Sequence, residues 1–290
     1  MSGTKYQKIS IACSADITEA LANFLRERSP GGIATEDDKP TGQTIITAYV
    51  NPRTKPPFTR EEINSYFNSI KRFFDSPDYE IIYLDYIKAE NWLDSLKQTF
   101  RPIHVTDRII ACPSWENYNP QSGEIVIVID PKMAFGTGHH ETTAQCLAGL
   151  EKLDPRGKRV LDYGCGTALL AIAAVKLGAS RAIGVDNDQE AITCAMENVA
   201  LNGVEVELIE SAKYIAKPPC DIIAANLNTD LIIELFTELD YSLKPGGHII
   251  YSGIPLDDKQ RLLDFIINMP YAIIDEITGA EWVSYIAVKR

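Results

Sequence analysis

No stretch of this 290-residue chain approaches the roughly 20 consecutive apolar residues that a bilayer-spanning helix needs. The opening residues, MSGTKYQKIS, hold no apolar core of the kind a secretory signal requires, so a cytosolic protein is expected. Cysteine is sparse and scattered. Cys13, Cys112, Cys146, Cys165, Cys194 and Cys220 include no C-x-x-C pair and mostly lie within apolar runs, the pattern of reduced, core-filling thiols. Basic residues are outnumbered 28 to 40, which leaves a formal net charge of −12. That balance argues against a general nucleic-acid binder, whose surface is usually basic. It favours a small-molecule substrate or a basic protein partner, and neither direct nucleic-acid contact nor a membrane is expected. Internal repeats and low-complexity tracts are missing too. What is present is ordinary for a folded chain: 45% hydrophobic and 23% charged residues, enough for a proper core in one large or two modest domains.

The most informative segment is Val160-Leu161-Asp162-Tyr163-Gly164-Cys165-Gly166-Thr167-Ala168, followed by a helix-compatible run from Leu169 to Lys176. A second apolar run, Ala182 to Val185, then delivers Asp186, 22 residues after Gly164. Strand, tight turn, helix and strand form the first half of an open parallel sheet with a nucleoside site at its carboxyl edge. A dinucleotide loop wants a small third residue in G-x-G-x-x-G, where helix and strand pack closely under the pyrophosphate; here that residue is Leu169. S-adenosylmethionine carries no phosphate, so its loop needs only a tight turn and close backbone approach, which Gly164 and Gly166 supply. On that reading Asp186 takes the ribose hydroxyls and Asp162 faces the cationic methionine amine. The competing reading is an ordinary glycine turn of a doubly wound protein.

Residues 1–88 read as a small domain of strands and helices. Lys5 to Cys13 alternates like a strand, Ile17, Leu21, Phe24 and Leu25 recur at helical spacing, and residues 43–50 are β-branched. Thr59-Arg60-Glu61-Glu62 forms a capping box before a helix with an Ile63, Phe67, Ile70, Phe74 face, and Glu80 to Ile87 closes with a strand. With room for one more strand near Gly32 to Thr35, this predicts a ferredoxin-like α/β domain suited to binding. Residues 89–102 read as a linker and 103–290 as the main domain. Its first two strand-like runs, 103–112 and 123–130, read together as a hairpin. Strands are then expected at 158–163, 181–186, 205–209, 221–226, 247–253, 271–277 and 282–288, the last two an antiparallel pair. The fold class is thus α/β, a doubly wound seven-stranded methyltransferase sheet with a small N-terminal ferredoxin-like domain.

Two further constellations bear on chemistry. Asp130-Pro131-Lys132-Met133-Ala134-Phe135-Gly136-Thr137-Gly138-His139-His140-Glu141-Thr142-Thr143 joins glycines, hydroxyls and an aromatic just ahead of a helix. It suits a lid over the methionine end, with Phe135 and Thr143 as ligands, or else a plain linker from hairpin to helix. The neighbouring His139, His140 and Glu141 do not make a metal site, because adjacent histidines diverge and no further ligand is suitably spaced. Asp221-Ile222-Ile223-Ala224-Ala225-Asn226-Leu227-Asn228 is a buried strand ending in Asn226 at the same carboxyl edge. Amine-methylating enzymes often place Asn or Asp there to hold the nucleophilic nitrogen. Asn226 could equally cap the next helix, and the two roles are compatible. Lys244-Pro245-Gly246-Gly247-His248 reads as a helix-ending turn before a strand, with His248 capping or facing solvent.

At these residues the chain resembles the PrmA family, bacterial enzymes that methylate protein eleven of the large ribosomal subunit. D-P-K-M-A-F-G-T-G-H-H-E-T-T is similar to that family's D-P-G-x-A-F-G-T-G-x-H-x-T-T signature, and Asn91-Trp92, Phe100-Arg101-Pro102-Ile103, Pro113-Ser114-Trp115 and Glu281-Trp282-Val283 are similar as well. The resemblance runs from about residue 90 onward; over residues 1–88 it rests on length and element order. It implies cofactor contacts at Thr143, Gly164, Asp186 and Asn226, and lysine and N-terminal amines of that basic ribosomal protein as targets. It also implies that the N-terminal domain recognises the target and swings on the linker. Lys132 in place of glycine, Ala168 in place of a third loop glycine and Leu96 in place of tryptophan depart from the pattern. The rival readings are methylation of another protein or a small molecule, and a non-catalytic scaffold. Intact Asp186, Asn226 and both loop glycines weigh against the scaffold, and Leu169 weighs against an NAD oxidoreductase.

Overall fold

The computed structural model describes residues 5–26, 28–29, 33–38, 41–50, 52, 55–74, 76–88, 101–130, 136–138 and 140–290. The chain divides into two compact units, Met1–Phe100 and Arg101–Arg290. In the first, β1 (Lys5–Cys13), α1 (Thr18–Arg26), β2 (Ile33–Asp38), β3 (Gln43–Val50), α2 (Arg60–Ile70) and β4 (Tyr79–Lys88) follow in order. The sheet runs β2-β3-β1-β4 with every neighbouring pair antiparallel, the split β-α-β arrangement expected from the sequence. Alternate residues of β1 and β3 (Ile9, Ile11, Ile46) meet Leu21, Leu25 and Ile63 of the helices in a closed core. The capping box starts α2: Glu62 N–H donates to Thr59 Oγ1 at 3.1 Å and Thr59 N–H donates to Glu62 Oε2 at 2.8 Å.

The second unit opens with a three-stranded sheet, β5 (Ile103–His104), β6 (Ile109–Cys112) and β7 (Ile125–Val128). The expected hairpin between 103–112 and 123–130 is corrected here. The hairpin is β5–β6, and β7 joins β6 in parallel. A parallel neighbour needs a crossing connection, which the Pro/Asn/Ser-rich loop between them provides.

Beyond it come α3 (Glu141–Leu153), β8 (Arg159–Tyr163), α4 (Leu169–Lys176), β9 (Arg181–Asp186), α5 (Gln189–Asn202), β10 (Glu207–Glu210) and β11 (Cys220–Asn226). Then follow α6 (Thr229–Glu234), α7 (Phe236–Ser242), β12 (Leu243–Pro255), α8 (Lys259–Ile266), β13 (Tyr271–Thr278) and β14 (Trp282–Lys289). The seven-stranded sheet is ordered β10-β9-β8-β11-β12-β14-β13. Its first five strands are parallel, and β14 is antiparallel to both neighbours. Val160, Ile222 and Ala224 point into one helical layer and Leu161, Ile223 and Ala225 into the other, so these strands read as continuous apolar runs. Strand order reverses between β8 and β11. A doubly wound sheet opens its ligand crevice at that point, beyond the carboxyl ends of the strands. Strand β12 begins at Leu243, so the Lys244–Gly247 turn lies inside an irregular strand start rather than ahead of it. All six cysteines are buried and none forms a disulfide.

Candidate active site

The loop after β8 is set by backbone bonds to β9. Gly164 and Cys165 N–H both donate to the Val185 carbonyl, at 2.8 and 2.9 Å. Gly164 has φ +74°, and a Cβ there would lie 2.5 Å from Leu227 Cδ2, so glycine answers both a left-handed turn and a close approach. Ala168 also sits in the left-handed region, φ +63°. The chain thus holds the geometry of the missing third glycine at a cost of about 1–2 kcal/mol.

The two acids flank this loop in different ways. Asp186, at the end of β9, accepts Gly166 N–H on Oδ2 at 2.9 Å and Asp188 N–H on Oδ1 at 3.0 Å. Burial raises its pKa, against those amide bonds. Each carboxylate oxygen keeps a further lone pair, so ribose hydroxyls can still donate to it. Asp162 is 1% exposed. Its Oδ2 accepts Ala171 N–H in the first turn of α4 at 3.0 Å, while Oδ1 is buried with no partner among the described residues. Burial pushes this carboxyl up to about 7, the Ala171 bond opposing and the nearby Asp186 charge assisting. In the unfolded chain the same group ionises near 3.9. The folded form therefore holds its proton longer, and ligand-free stability falls as pH rises from about 4 to about 7, by up to about 4 kcal/mol. In Asp162→Asn the carbonyl still accepts Ala171 N–H and nothing titrates. Melting curves of the ligand-free variant from pH 5 to pH 8 should lack this decline, and an unchanged decline would show that another group causes it.

Thr143 lies in the first turn of α3, 1% exposed, and its Oγ1 has no partner among the described residues. Buried networks seat the helix end that carries it. Ser252 Oγ donates to Thr142 O at 3.0 Å, Ser284 Oγ to Gln145 Oε1 at 2.6 Å, and Gln145 Nε2 to Trp282 O at 3.0 Å. Glu141 Oε1 accepts Ala280 N–H at 2.7 Å from the β13–β14 turn, and a side chain on Gly279 would fall on Glu141. His140 caps α3 toward Thr142, and its ring meets the Trp282 edge at 5.0 Å. The terminal Glu-Trp-Val motif and the His-Glu-Thr-Thr motif are thus two sides of one contact.

Asn226 ends β11 and pairs in register with Ser252 of β12, while Ala225 pairs with Tyr163 of β8. It stands at the switch point across from Gly164. It is not the helix cap: Asn228 takes that role, accepting Leu231 N–H on Oδ1 at 2.9 Å. The amide of Asn226 is therefore not spent on capping. His248 lies near the start of β12, at the end of the strand remote from this edge. Phe135 and His139 lie outside the described residues, as do residues 89–100 of the expected linker. No cluster of three or more metal-ligating side chains occurs among the described residues, and no helix among them is long and apolar enough to cross a membrane.

Sequence reasoning missed the side chains that tie these pieces together: Thr167, Asn198, Asn202, Ser252, Ser284 and Gln145. Asn198 and Asn202 carried a signal, two amides one turn apart on an otherwise apolar helix face. The serines carried none, since polar residues within a predicted core strand do not reveal their partners.

A seven-stranded sheet of this order, with a glycine loop after its central strand, an acid ending the next and an asparagine across the switch point, defines a methyltransferase of the doubly wound class. A profile of the ribosomal protein L11 methyltransferase (PrmA) family matches residues 5–290, and the chain belongs to that family. The match carries the resemblance through the N-terminal unit, where motifs alone had been thin. The ribosomal protein L11 methyltransferase of Symbiobacterium thermophilum is 38% identical over 303 residues, covering 98% of this chain and 99% of its own. That of Caldanaerobacter subterraneus subsp. tengcongensis is 36% identical, covering 99% of both. The crystal structure of a ribosomal protein L11 methylase from Lactobacillus delbrueckii subsp. bulgaricus matches with a TM-score of 0.61 at 28% identity, covering 66% of this chain and 100% of that one.

Proposed function

We propose that this chain transfers methyl groups from S-adenosylmethionine to lysine side-chain and N-terminal amines of ribosomal protein L11, with residues 1–88 recognising that protein. The observation that carries the reading is that Asp162 Oδ1 and Thr143 Oγ1 are among the eight buried side-chain polar atoms without a partner among the described residues. A buried acceptor without a partner is costly. Here both belong to residues that sequence reasoning assigns to the cofactor, and a cationic amine beside Asp162 fits the first. Gly164, Gly166 and Asp186 suit the nucleoside, and Phe135 is assigned to the methionine end.

When bound, S-adenosylmethionine supplies a methyl group on a positively charged sulfur, open to in-line attack. The protein's part is placement. A lysine with a pKa near 10.4 offers a lone pair in only about one molecule in two thousand at neutral pH, so the site has to favour the neutral amine by desolvation and hydrogen bonding. Asn226 Oδ1 and a backbone carbonyl of the β11 end accept the amine's N–H groups and leave its lone pair directed at the methyl. Positioning of this kind is worth up to about 7–11 kcal/mol. Placement rather than a general base carries the step in this reading, with His140 engaged with Thr142 and Trp282 and His248 at the wrong end of its strand. An acidic enzyme, net −12, suits a basic ribosomal protein.

The direct test incubates the protein with radiolabelled S-adenosylmethionine and ribosomal proteins from cells lacking this activity. One dominant labelled band with the mass of L11 is expected, its label mapping to lysines and the N-terminus. Label on a different protein would reassign the substrate, and cofactor binding without any label would favour the scaffold.

A further inference from the structure

Helix α5 begins just after Asp186, and its side chains reach three separate parts of the candidate site. Asn202 completes the free edge of β7: Val128 N–H donates to Asn202 Oδ1 at 2.9 Å, and Asn202 Nδ2 donates to Val128 O at 2.6 Å. One turn earlier Asn198, 1% exposed, does something different. Its Oδ1 accepts Asp130 N–H at 3.0 Å and its Nδ2 donates to Thr167 O at 3.1 Å. Thr167, fully buried, in turn donates its hydroxyl to Gly136 O at 2.5 Å. Asp130 is held from its other side by Ser114, whose N–H and Oγ both donate to its carboxylate at 2.7 Å.

Asp130 and Gly136 are the two ends of the Pro131–Phe135 segment of the signature motif. Both are tied to the glycine loop, one through Asn198 and the other through Thr167. The loop is tied to Asp186 through Gly166 N–H, and Asp186 leads into α5 through the Asp188 amide. The bonds close a ring from Asp186 to Gly166, Thr167, Asn198 and back along the helix. The primary amide of Asn198 accepts from the Asp130 N–H and donates to the Thr167 carbonyl at the same time.

Resting on the methyltransferase reading, we propose that Asn198 is a positioning residue that, together with the Thr167 hydroxyl, ties Asp130 and Gly136 to the cofactor loop, and so sets cofactor affinity without touching the cofactor. Breaking the bridge lowers the fraction of molecules in the binding-competent arrangement, and apparent affinity falls by that fraction.

The test measures calorimetric Kd for S-adenosylhomocysteine, KM for each substrate, and melting temperature. Asn198→Asp keeps the acceptor for Asp130 and loses the donor to Thr167. Thr167→Val keeps the shape and loses the donor to Gly136. Asn202→Ala is the control, because it removes the β7 clamp on the same helix but leaves the bonds of the Asn198 and Thr167 side chains in place. Asn198→Asp and Thr167→Val are each expected to raise Kd and cofactor KM by about tenfold or more, with KM for the protein substrate unchanged and Asn202→Ala within about threefold of wild type. Hydrogen exchange at the Asp130 amide should stay slow in Asn198→Asp, separating lost coupling from a collapsed helix. Wild-type Kd in both Asn198→Asp and Thr167→Val, or an equal loss in Asn202→Ala, would overturn the proposal. If the unmutated protein binds neither S-adenosylhomocysteine nor S-adenosylmethionine, the methyltransferase reading itself falls, and this proposal with it.

Discussion

Asn226→Ala is expected to slow methyl transfer by about 10²- to 10³-fold, the scale of losing one preorganised hydrogen-bonding group at a reacting centre. The side chain stands at the switch point, half-exposed, and Asn228 does the capping of α6. Its loss should therefore leave thermal stability within about 0.5 kcal/mol, as for a surface change that breaks no cap and opens no cavity. Single-turnover rates at saturating cofactor isolate the chemical step from any weakening of cofactor binding. His140→Ala removes an N-cap and is expected to cost about 1 kcal/mol of stability with little change in rate. His248→Ala should alter neither greatly. A histidine variant as slow as Asn226→Ala would mean that a base takes part and that placement alone is not the mechanism.

Gly253→Ala should be the most damaging single methyl group at the site. The residue has φ +82°, and a Cβ there would lie 2.6 Å from Leu227 O, 2.9 Å from its carbonyl carbon and 3.1 Å from its nitrogen. These are backbone atoms, and they cannot step aside cheaply. Leu227 N–H donates to Ser252 O at 3.0 Å, and Asn228 is fixed by its cap one residue later. Left-handed strain contributes about 1–2 kcal/mol and the collision at least as much, so a loss of about 2–4 kcal/mol in urea-unfolding stability is expected. Because the relief must come from the Asn226–Asn228 segment, methyl transfer should fall along with stability. Gly246→Ala is the matched control. It has a similar φ of +74° with nothing within 4 Å of the added carbon, so about 1 kcal/mol and unchanged transfer are expected. Equal losses at the two positions would assign the effect to backbone strain alone.

The parts of the site legible in the sequence are those written locally. The glycine loop, the acids at the ends of β8 and β9 and the capping box at Thr59 each depend on residues a few positions apart, and each stands where spacing put it. The order of the central strands followed from apolar runs alternating with helices. Pairing between distant runs was less legible: 103–112 and 123–130 looked like a hairpin because they are strand-like runs joined by a Pro/Asn/Ser-rich loop, and nothing in either run states direction. Asn226 and Asn228 are two residues apart and share a side chain, so only geometry could say which one caps. The Gln145–Ser284 link joins positions more than a hundred residues apart and left no local trace, while Asn198 and Asn202 showed as two amides on an otherwise apolar helix face with no sign of their partners.

Strand β14 lies between β12 and β13 rather than at the sheet's margin, and the turn before it braces the helix end that bears Thr143. During synthesis the glycine loop, Asp186 and Asn226 are all made while that slot is still empty, and β13 has no neighbour to pair with until residues 282–289 arrive. Completion of the sheet and seating of the Thr143 helix are then a single late event. A chain that stops short of Trp282 would carry the glycine loop, Asp186 and Asn226 and still leave the Thr143 helix unbraced.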